Sequence, residues 1–302
     1  MPVRIVIPGA FTTVQDAGRY GYQCFGIGPS GVMDEKAYAD AANLVGNEAN
    51  EAVLEAALFG GVMEFTEDTV VAVTGADMEP KLNGSPISMN IPIQIKASDS
   101  LSLGMVKTGC RTYIAFAGGI DVPAVMGSRS TNVKCRLGGY EGRALKAGDE
   151  LPLGTGKSYE EVKGRKIKAQ EYPSEINVRV IAGPQDDYFT EEGKKTFYSG
   201  VYTISEQSDR MGCRLDGPVI ESRNGTDIVS DAIALGSVQV PADGRPIVLL
   251  ADRQTTGGYA KIATVCSFDI PKIAQGKPGD KVKFTAISGA EAERINRKQV
   301  RR

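Results

Sequence analysis

Glycine and proline divide this chain into short segments, and their spacing limits the folds that it can adopt. The 302 residues include 36 Gly and 15 Pro, which separate short apolar runs rich in β-branched residues. Examples are the runs at 69–74, 91–95, 113–117 and 247–250. β-Branched residues favour strands, whereas Gly and Pro favour the turns between strands. The sequence therefore predicts a mainly β fold with a few short helices.

Local signals predict two hairpins and two helices. Asn83-Gly84 and Asp243-Gly244 each provide a Gly for the positive φ of a tight primed turn. Asp34 is the predicted N-cap of a helix that stops at Gly46. A weaker helix is predicted over residues 270–275.

The chain is long enough for two domains, because single hydrophobic cores stop growing at about 250–300 residues. The segment 157–179 is charged and poor in large apolar residues, so it marks the boundary. We expect an N-terminal β domain (1–160), a linker (161–178), a C-terminal β domain (179–290) and a basic tail (291–302).

The two halves share a faint internal repeat. In each half an Arg at the start of an apolar run is followed by a Gly and then by an Asp. The Arg–Gly and Gly–Asp spacings are 56 and 17 residues in the first half, and 57 and 16 residues in the second. The positions are Arg4, Gly60 and Asp77, and Arg179, Gly236 and Asp252. A duplicated β unit would explain the match, although Gly-rich β sequence can also produce three such matches by chance.

Charge and hydropathy exclude several classes of partner. The net charge of −2 does not favour nucleic acid, and no apolar run approaches the ~20 residues that span a bilayer. We therefore expect no nucleic acid, no membrane and a cytoplasmic protein.

The sequence contains no histidine, and this absence restricts its chemistry most. It rules out histidine as nucleophile activator, general base or metal ligand within this chain. The five cysteines never form a CxxC pair, so we expect free thiols and predict no metal ligands. Charge stabilisation must then come from Arg, Lys, carboxylates, hydroxyls and backbone amides.

Three segments resemble known ligand-binding or attachment motifs but lack features that those motifs need. The GxGxxG match at 26–31 contains Pro29 and follows no apolar strand, and the GTGKS at 154–158 has Leu151 where a phosphate loop needs Gly. Lys107 lacks the Met-Lys-Met surroundings of a biotin attachment site. We expect no covalently attached biotin in this chain.

Four segments carry more polar and glycine residues than a β core needs. The first, 13–34, is a long loop that either has a function or covers a sheet edge. The second, 127–132, is either an anion-binding cluster or a helix-capping turn, since an Arg beside hydroxyls suits a carboxylate or phosphate. The candidate residues of these two segments are Asp16, Arg19, Ser30, Asp34, Arg129 and Ser130.

The other two segments lie in the second half. In 209–218, Arg210 and Arg214 either meet one anion or belong to a hairpin paired through Asp209 and Asp216. In 252–259, either a strand delivers polar side chains into a Gly-Gly turn whose amides meet an oxyanion, or the turn is a plain hairpin. The candidate residues of this last segment are Asp252, Gln254, Thr255, Thr256, Gly257, Gly258 and Tyr259.

Together these segments resemble the biotin-dependent carboxyltransferase / allophanate hydrolase subunit 2 family. The resemblance rests on TVQDAGR, GPSGVMD, VAVTGAD, PAVMGSRST, DRMGCRLDGP and VQVPADGRPIVLLADRQTTGGY, and it spans about residues 3–288 in order. It implies two cyclophilin-like β-barrel units, which agrees with the internal repeat.

The resemblance also implies an activity and partners. It suggests one component of a three-chain 5-oxoprolinase that opens 5-oxoproline to L-glutamate, with ATP and Mg²⁺ as co-substrate. The implied partners are the B subunit, which binds this chain directly, and the A subunit. On that basis we assign catalytic roles to Asp252, Arg210 and Gln254. The remaining candidates are assigned to substrate or nucleotide binding: Asp16, Arg19, Ser30, Asp34, Arg129, Ser130, Arg214, Thr255, Thr256, Gly257, Gly258 and Tyr259.

Two other functions remain open. The same family module serves as the carboxyltransferase of biotin-dependent, urea-carboxylase-like systems, which need a biotinylated carrier. In the second, the chain is not catalytic and antagonises a partner that inhibits a kinase.

Overall fold

The structure is a computed structural model that describes residues 2–300, with side chains described for residues 2–298. The chain forms two compact units. The first comprises Met1–Arg19 and Ser30–Tyr172, and the second comprises Tyr20–Pro29 and Pro173–Arg302.

The strands of the first unit pair antiparallel in two sheets. They are β1 (Pro2–Ile7), β2 (Phe11–Gln15), β3 (Val53–Ala57), β4 (Phe59–Phe65), β5 (Thr69–Asp77), β6 (Lys81–Leu82), β7 (Ser85–Pro86), β8 (Pro92–Ile95), β9 (Ser100–Met105), β10 (Thr108–Phe116) and β11 (Glu150–Pro152). One sheet has the order β11-β1-β4-β9-β6-β7 and the other the order β2-β3-β10-β5-β8. The helices of this unit are α1 (Glu35–Val45) and α2 (Tyr159–Val162).

The five-stranded sheet of the first unit is buried on both faces. Apolar side chains of both sheets form one core cluster, to which Val3, Ile5, Met63, Leu101, Val14, Leu54, Val71 and Ile114 belong. On the opposite face Ala41 and Leu44 of α1 pack with Val70 and Tyr113. Double burial explains why β5 and β10 are nearly continuous apolar runs, since most positions of these strands are buried.

The second unit contains a closed barrel and a separate two-stranded ribbon. Its strands are β12 (Glu175–Ala182), β13 (Tyr202–Ile204), β14 (Gly212–Asp216), β15 (Asp227–Ala232), β16 (Ser237–Gln239), β17 (Ile247–Leu249), β18 (Thr256–Tyr259), β19 (Lys261–Val265) and β20 (Lys281–Ala286). The barrel has the order β12-β19-β16-β17-β14-β13-β20, and β15 pairs with β18 in the ribbon. The parallel pair β12 and β20 closes the barrel, with residues 175–180 opposite residues 281–286.

Helices α3 (Glu191–Ser199), α4 (Ile270–Ala274) and α5 (Gly289–Val300) complete the second unit. Short 3₁₀ helices lie at Gln23–Phe25, Asp186–Tyr188 and Ser267–Asp269. Phe197 of α3 stacks on Phe284 of β20 at a centroid distance of 4.5 Å, and both rings are buried. The predicted linker 161–178 contains the end of α2 and the start of β12. The predicted tail 291–302 is helical as far as Val300, and its last two residues lie outside the described residues.

The mainly β fold with a few short helices is confirmed, and so are several local predictions. The Asp34 side chain accepts a hydrogen bond from the Ala37 amide at 3.0 Å, and α1 stops at Gly46, whose φ is 75°. Asn83 and Gly84 both have positive φ, as a tight primed turn requires.

The prediction of a tight primed turn at Asp243-Gly244 is wrong. Of the two residues only Gly244 has a positive φ, and its amide donates to the Pro241 carbonyl at 2.9 Å. Gly244 is therefore the fourth residue of a turn within a longer β16–β17 connection. Within the described residues no helix is long and apolar enough to cross a membrane.

Candidate functional site

A buried ion pair fixes the polar segment that follows β17 in the second unit. Arg210 Nε donates to Asp252 Oδ2 at 2.9 Å, and Arg210 Nη2 donates to Asp252 Oδ1 at 3.3 Å. The side chains are only 6% and 10% exposed. In addition, the Asp252 amide donates to the Arg210 carbonyl at 2.9 Å. The loop before β14 and the segment after β17 are therefore joined through both side chain and main chain.

This ion pair changes the role expected for Arg210 and Arg214. The Arg210 guanidinium is enclosed with Asp252, whereas the Arg214 side chain is exposed on β14. The predicted clamp by both guanidinium groups is therefore absent. Asp216, which the alternative hairpin assigned to this segment, pairs instead with Arg245 at 2.9 Å.

A surface cleft brings together two of the predicted binding residues. Arg214 and Tyr259 line a cavity of about 240 Å³, together with Ser205, Gln207 and Arg245. This volume lies below the roughly 300 Å³ at which pockets for drug-sized ligands begin. The cleft therefore suits a small polar molecule. Two carboxylates, Asp216 and Asp243, also line it, and Asp216 pairs with Arg245, so Arg214 is the guanidinium left to meet an anionic group.

The predicted Gly-Gly turn is wrong. Gly257 and Gly258 lie in β18, with Gly257 opposite Asp231 of β15, and neither has a positive φ. A Cβ on Gly257 would lie 2.7 Å from Ile233 Cδ1 and 2.8 Å from Gln239 Nε2. Both atoms are the ends of flexible side chains that can move aside, and the backbone of Gly257 is extended, so neither packing nor a turn requires glycine here.

The remaining polar residues of this segment differ in exposure. Gln254 and Thr256 are exposed, and Thr255 is half-buried. The Thr255 carbonyl accepts a hydrogen bond from the Ile233 amide at 3.0 Å, which anchors the segment to the end of β15. Gln254 and Thr256, like Tyr259, are therefore side chains of this segment that a ligand can reach.

In the first unit, a fully buried carboxylate organises the second polar segment. Asp16 Oδ1 accepts hydrogen bonds from Ser128 Oγ at 2.6 Å, Ser130 Oγ at 2.5 Å and the Gly18 amide at 2.9 Å. Asp16 Oδ2 accepts from the Arg129 amide at 2.6 Å. The two sequence motifs thus meet around one carboxylate. Its four hydrogen bonds replace the hydrogen bonds to water that burial removes.

The two arginines of these motifs are bound to the protein itself. Arg19 is fully buried, and it donates from Nε to the Val125 carbonyl at 3.0 Å and from Nη2 to the Ser130 carbonyl at 2.9 Å. The Arg129 guanidinium lies 3.5 Å from the Asp121 carboxylate. Both side chains hold the segment 121–130 in place, so this geometry favours the turn interpretation of that segment over the anion cluster.

The long first segment is divided between the two units. Residues 13–15 belong to β2, residues 20–29 belong to the second unit, and Gln23–Phe25 form a 3₁₀ helix. Ser30 is buried with a φ of 55°, and its hydroxyl accepts from Asn132 Nδ2 at 3.1 Å.

Asp34 belongs to a buried polar chain that the sequence did not reveal. The Asp34 amide donates to Tyr113 Oη at 2.8 Å, and Tyr113 Oη donates to Glu55 Oε2 at 2.8 Å. Tyr172 Oη donates to Asp34 Oδ2 at 3.1 Å. Desolvation, followed by the nearby Glu55 and Asp34 carboxylates, raises the pKa of Tyr113 well above its usual range. Arg111 belongs to the same cluster, since its Nε lies 3.8 Å from Glu55 Oε1. The sequence signal for this cluster is a single charged residue within an apolar strand, as in VLEAA for Glu55 and TGCRTYIAF for Arg111.

Among the described residues, no three His, Cys, Asp or Glu side chains are grouped as metal ligands. The Asp252 carboxylate is bound by Arg210.

Comparison with known proteins identifies the family. The family model of the carboxyltransferase domain, subdomain A and B, matches residues 25–286. The chain belongs to this carboxyltransferase family. Two curated relatives of this chain are named as C subunits of 5-oxoprolinase. That of Escherichia coli K12 is 38% identical over 299 residues, which cover 99% of this chain and 96% of the relative. That of Haemophilus influenzae is 35% identical over 286 residues, which cover 95% and 91%.

A solved structure shares the carboxyltransferase fold. The crystal structure of the Kluyveromyces lactis urea carboxylase matches 99% of this chain with a TM-score of 0.90 and 33% identity. This chain spans 28% of that larger protein. The family therefore includes a separate chain of this length and a module within a multidomain enzyme.

Proposed function

We propose that this chain is the C subunit of a 5-oxoprolinase, which acts with the A and B subunits to open 5-oxoproline to L-glutamate at the expense of ATP. The observation that carries the proposal is the nearly end-to-end match to a chain of that name, over 99% of this chain and 96% of the relative. A match that covers nearly all of both chains supports the same role more strongly than a match to a module of a longer protein.

The side chains of the second unit suit the chemistry of this reaction. A lactam is a poor electrophile, and phosphorylation of its oxygen makes the ring susceptible to hydrolysis. Such a transfer depends mainly on positioning and on positive charge near the phosphoryl group. In this proposal Arg214, which lines the cleft with Tyr259, contacts the anionic substrate or nucleotide. Arg210 and Asp252 act as positioning residues for the neighbouring segment, and Mg²⁺ arrives bound to ATP.

Reconstitution tests the proposal directly. The purified chain is combined with the A and B subunits, ATP, Mg²⁺ and 5-oxoproline, and glutamate and ADP are measured. We expect ATP-dependent glutamate formation that is lost when any one chain is omitted, together with co-purification of this chain with the B subunit. Full turnover by the A and B subunits alone would contradict the proposal.

The structural match to urea carboxylase favours one alternative. Since that match covers 99% of this chain, a carboxyltransferase acting on a biotinylated carrier is the second candidate function. It predicts that this chain, with a partner protein, transfers the carboxyl group of carboxybiotin to an acceptor without 5-oxoproline. Carboxybiotin decay that is unaffected by this chain would exclude the alternative.

A further inference from the structure

Arg253 is an enclosed cation whose charge has no partner in the described part of the protein. The residue is 8% exposed, and its hydrogen bonds are to two backbone carbonyls of its own unit. Arg253 Nε donates to the Ile233 carbonyl and Nη1 to the Leu250 carbonyl, both at 3.3 Å. Among the residues that the structure describes, no carboxylate lies within ion-pair distance of this guanidinium.

Other shielded cations of the second unit are paired. Arg210 is bound by Asp252, and the Lys261 ammonium, 3% exposed, lies 2.9 Å from an Asp231 carboxylate oxygen. In contrast to these two cations, the charge of Arg253 is not paired with a carboxylate of the described residues. Enclosing an unpaired charge is unfavourable, because the water that solvated it is removed without replacement.

The surroundings of Arg253 hold the side chain in a defined position. Nε and Nη1 of its guanidinium are held by carbonyls at the end of β15 and the end of β17. Nη2 donates no hydrogen bond within the described part of the chain. The Gly-rich segment 26–29 lies against its backbone, since a Cβ on Gly28 would come within 3.0 Å of the Arg253 carbonyl. Desolvation lowers the pKa of Arg253, and the phenol of Tyr20 acts in the opposite direction.

We propose that Arg253 is the anchor of an oxyanion-binding site formed by this unit, with Nη2 directed to a carboxylate or phosphate oxygen. A guanidinium suits such a group because its planar donors match the spacing of two oxygens. Gln254, which follows Arg253 in the chain, and Thr256 have exposed side chains that offer further polar groups in the same segment. This site goes beyond the proposed 5-oxoprolinase activity, because it requires only that the chain bind an anion.

A purely structural role for Arg253 makes a different prediction, and Arg223 provides the matched control. Arg223 Nε also donates to two backbone carbonyls, those of Asp187 and Phe189, both at 3.1 Å. Its guanidinium, however, is half exposed and lies 3.5 Å from Glu191. Removal of Arg223 therefore removes the same kind of backbone contact without removing an unbalanced charge.

The test measures binding by isothermal titration calorimetry with the full-length chain in low-salt buffer, so that turnover is not required. The probes are inorganic phosphate, 5-oxoproline and 2-pyrrolidinone, which has the lactam ring without the carboxylate. We expect saturable binding of phosphate or 5-oxoproline by the wild type and by Arg223→Gln, and at least tenfold weaker binding by Arg253→Gln. Preference for 5-oxoproline over both other probes identifies a substrate carboxylate, and preference for phosphate identifies a nucleotide phosphate.

Two results would overturn the proposal. One is the absence of saturable binding of both anions to the wild type, and the other is unchanged affinity in Arg253→Gln with a native circular-dichroism spectrum. If Arg253→Gln does not fold, Arg253→Lys is measured instead, because it keeps the charge and loses the planar fork. Wild-type affinity in that variant would equally contradict the proposal. Anion binding with no 5-oxoprolinase turnover would leave this site in place and remove only the proposed activity.

Discussion

Arg210 and Asp252 lie 42 positions apart and hold each other by three hydrogen bonds, two between their side chains and one between their backbones. Their pairing fixes the start of the segment that carries Arg253, Gln254 and Tyr259. The arginine predicted to be catalytic is thus bound to Asp252, and we propose that it acts on activity by positioning this partner.

The first prediction concerns this pair. Arg210→Ala and Asp252→Ala should each destabilise the chain by about 3–5 kcal/mol, because each removes one member of a nearly enclosed ion pair. The double variant Arg210→Met/Asp252→Leu should be much less destabilised than the sum of the single variants. Urea unfolding followed by circular dichroism measures this difference, and strict additivity would show that the two side chains are not coupled.

The second prediction concerns the buried carboxylate of the first unit. Asp16→Asn replaces an oxygen that accepts from hydroxyl or amide groups by an amide nitrogen, which can only donate. We expect a loss of about 2–4 kcal/mol in unfolding free energy, because hydrogen bonds to a charged group contribute about 1.5–3 kcal/mol each. Asp121→Asn, at an exposed carboxylate 3.5 Å from Arg129, is the control and should change stability by less than about 1 kcal/mol. Equal effects of the two substitutions would show that the Asp16 network does not stabilise the fold.

The third prediction is a pH dependence from Asp269, whose side chain is fully buried. Desolvation would raise the pKa of Asp269, but hydrogen bonds from the Arg179 guanidinium and amide and from Lys272 outweigh it and lower the pKa. A lowered folded-state pKa stabilises the fold above the unfolded value of about 3.9 and loses that contribution as pH falls further. The wild type should therefore exceed Asp269→Asn in stability at pH 7, and the gap should narrow below about pH 4.

Unfolding curves between pH 2 and 7 measure this gap. The control is Asp68→Asn, since Asp68 is 60% exposed and pairs with Lys96 in solvent. A gap for Asp269→Asn that is constant with pH, or no larger than that of the control, would contradict the assignment.

The fourth prediction concerns the cleft of the second unit. In the reconstituted enzyme, Arg214→Ala should raise KM for 5-oxoproline or ATP by about tenfold or more, because one charged hydrogen bond contributes about 1.5–3 kcal/mol. The melting temperature should stay within about 1 °C of the wild type, because exposed substitutions usually have little effect on stability. Lys283→Ala removes an exposed cation from barrel strand β20 and serves as the control. Kinetics of Arg214→Ala that match this control would exclude the cleft as the binding site.

The sequence was most informative where structure depends on near neighbours. Asp34 and Gly46 define α1 through contacts within a few residues, and Asn83-Gly84 forms its turn without help from the rest of the chain. The partners of buried charges could not be found this way, because Asp16 and Ser130 are 114 positions apart and meet only through the fold. Gly257 illustrates the same limit. Its sequence indicates a turn, but the residue lies within β18 because that strand pairs with β15, which is distant in sequence.

The order in which strands are synthesised constrains when the barrel of the second unit can be completed. Its first strand, β12, pairs with its last strand, β20, so the ring stays open until residue 286 has left the ribosome. Until then β12 and β13, which both pair with β20, present unpaired backbone edges, which favour association with other chains. A chaperone or a partner protein that covers those edges during translation would therefore raise the yield of this unit.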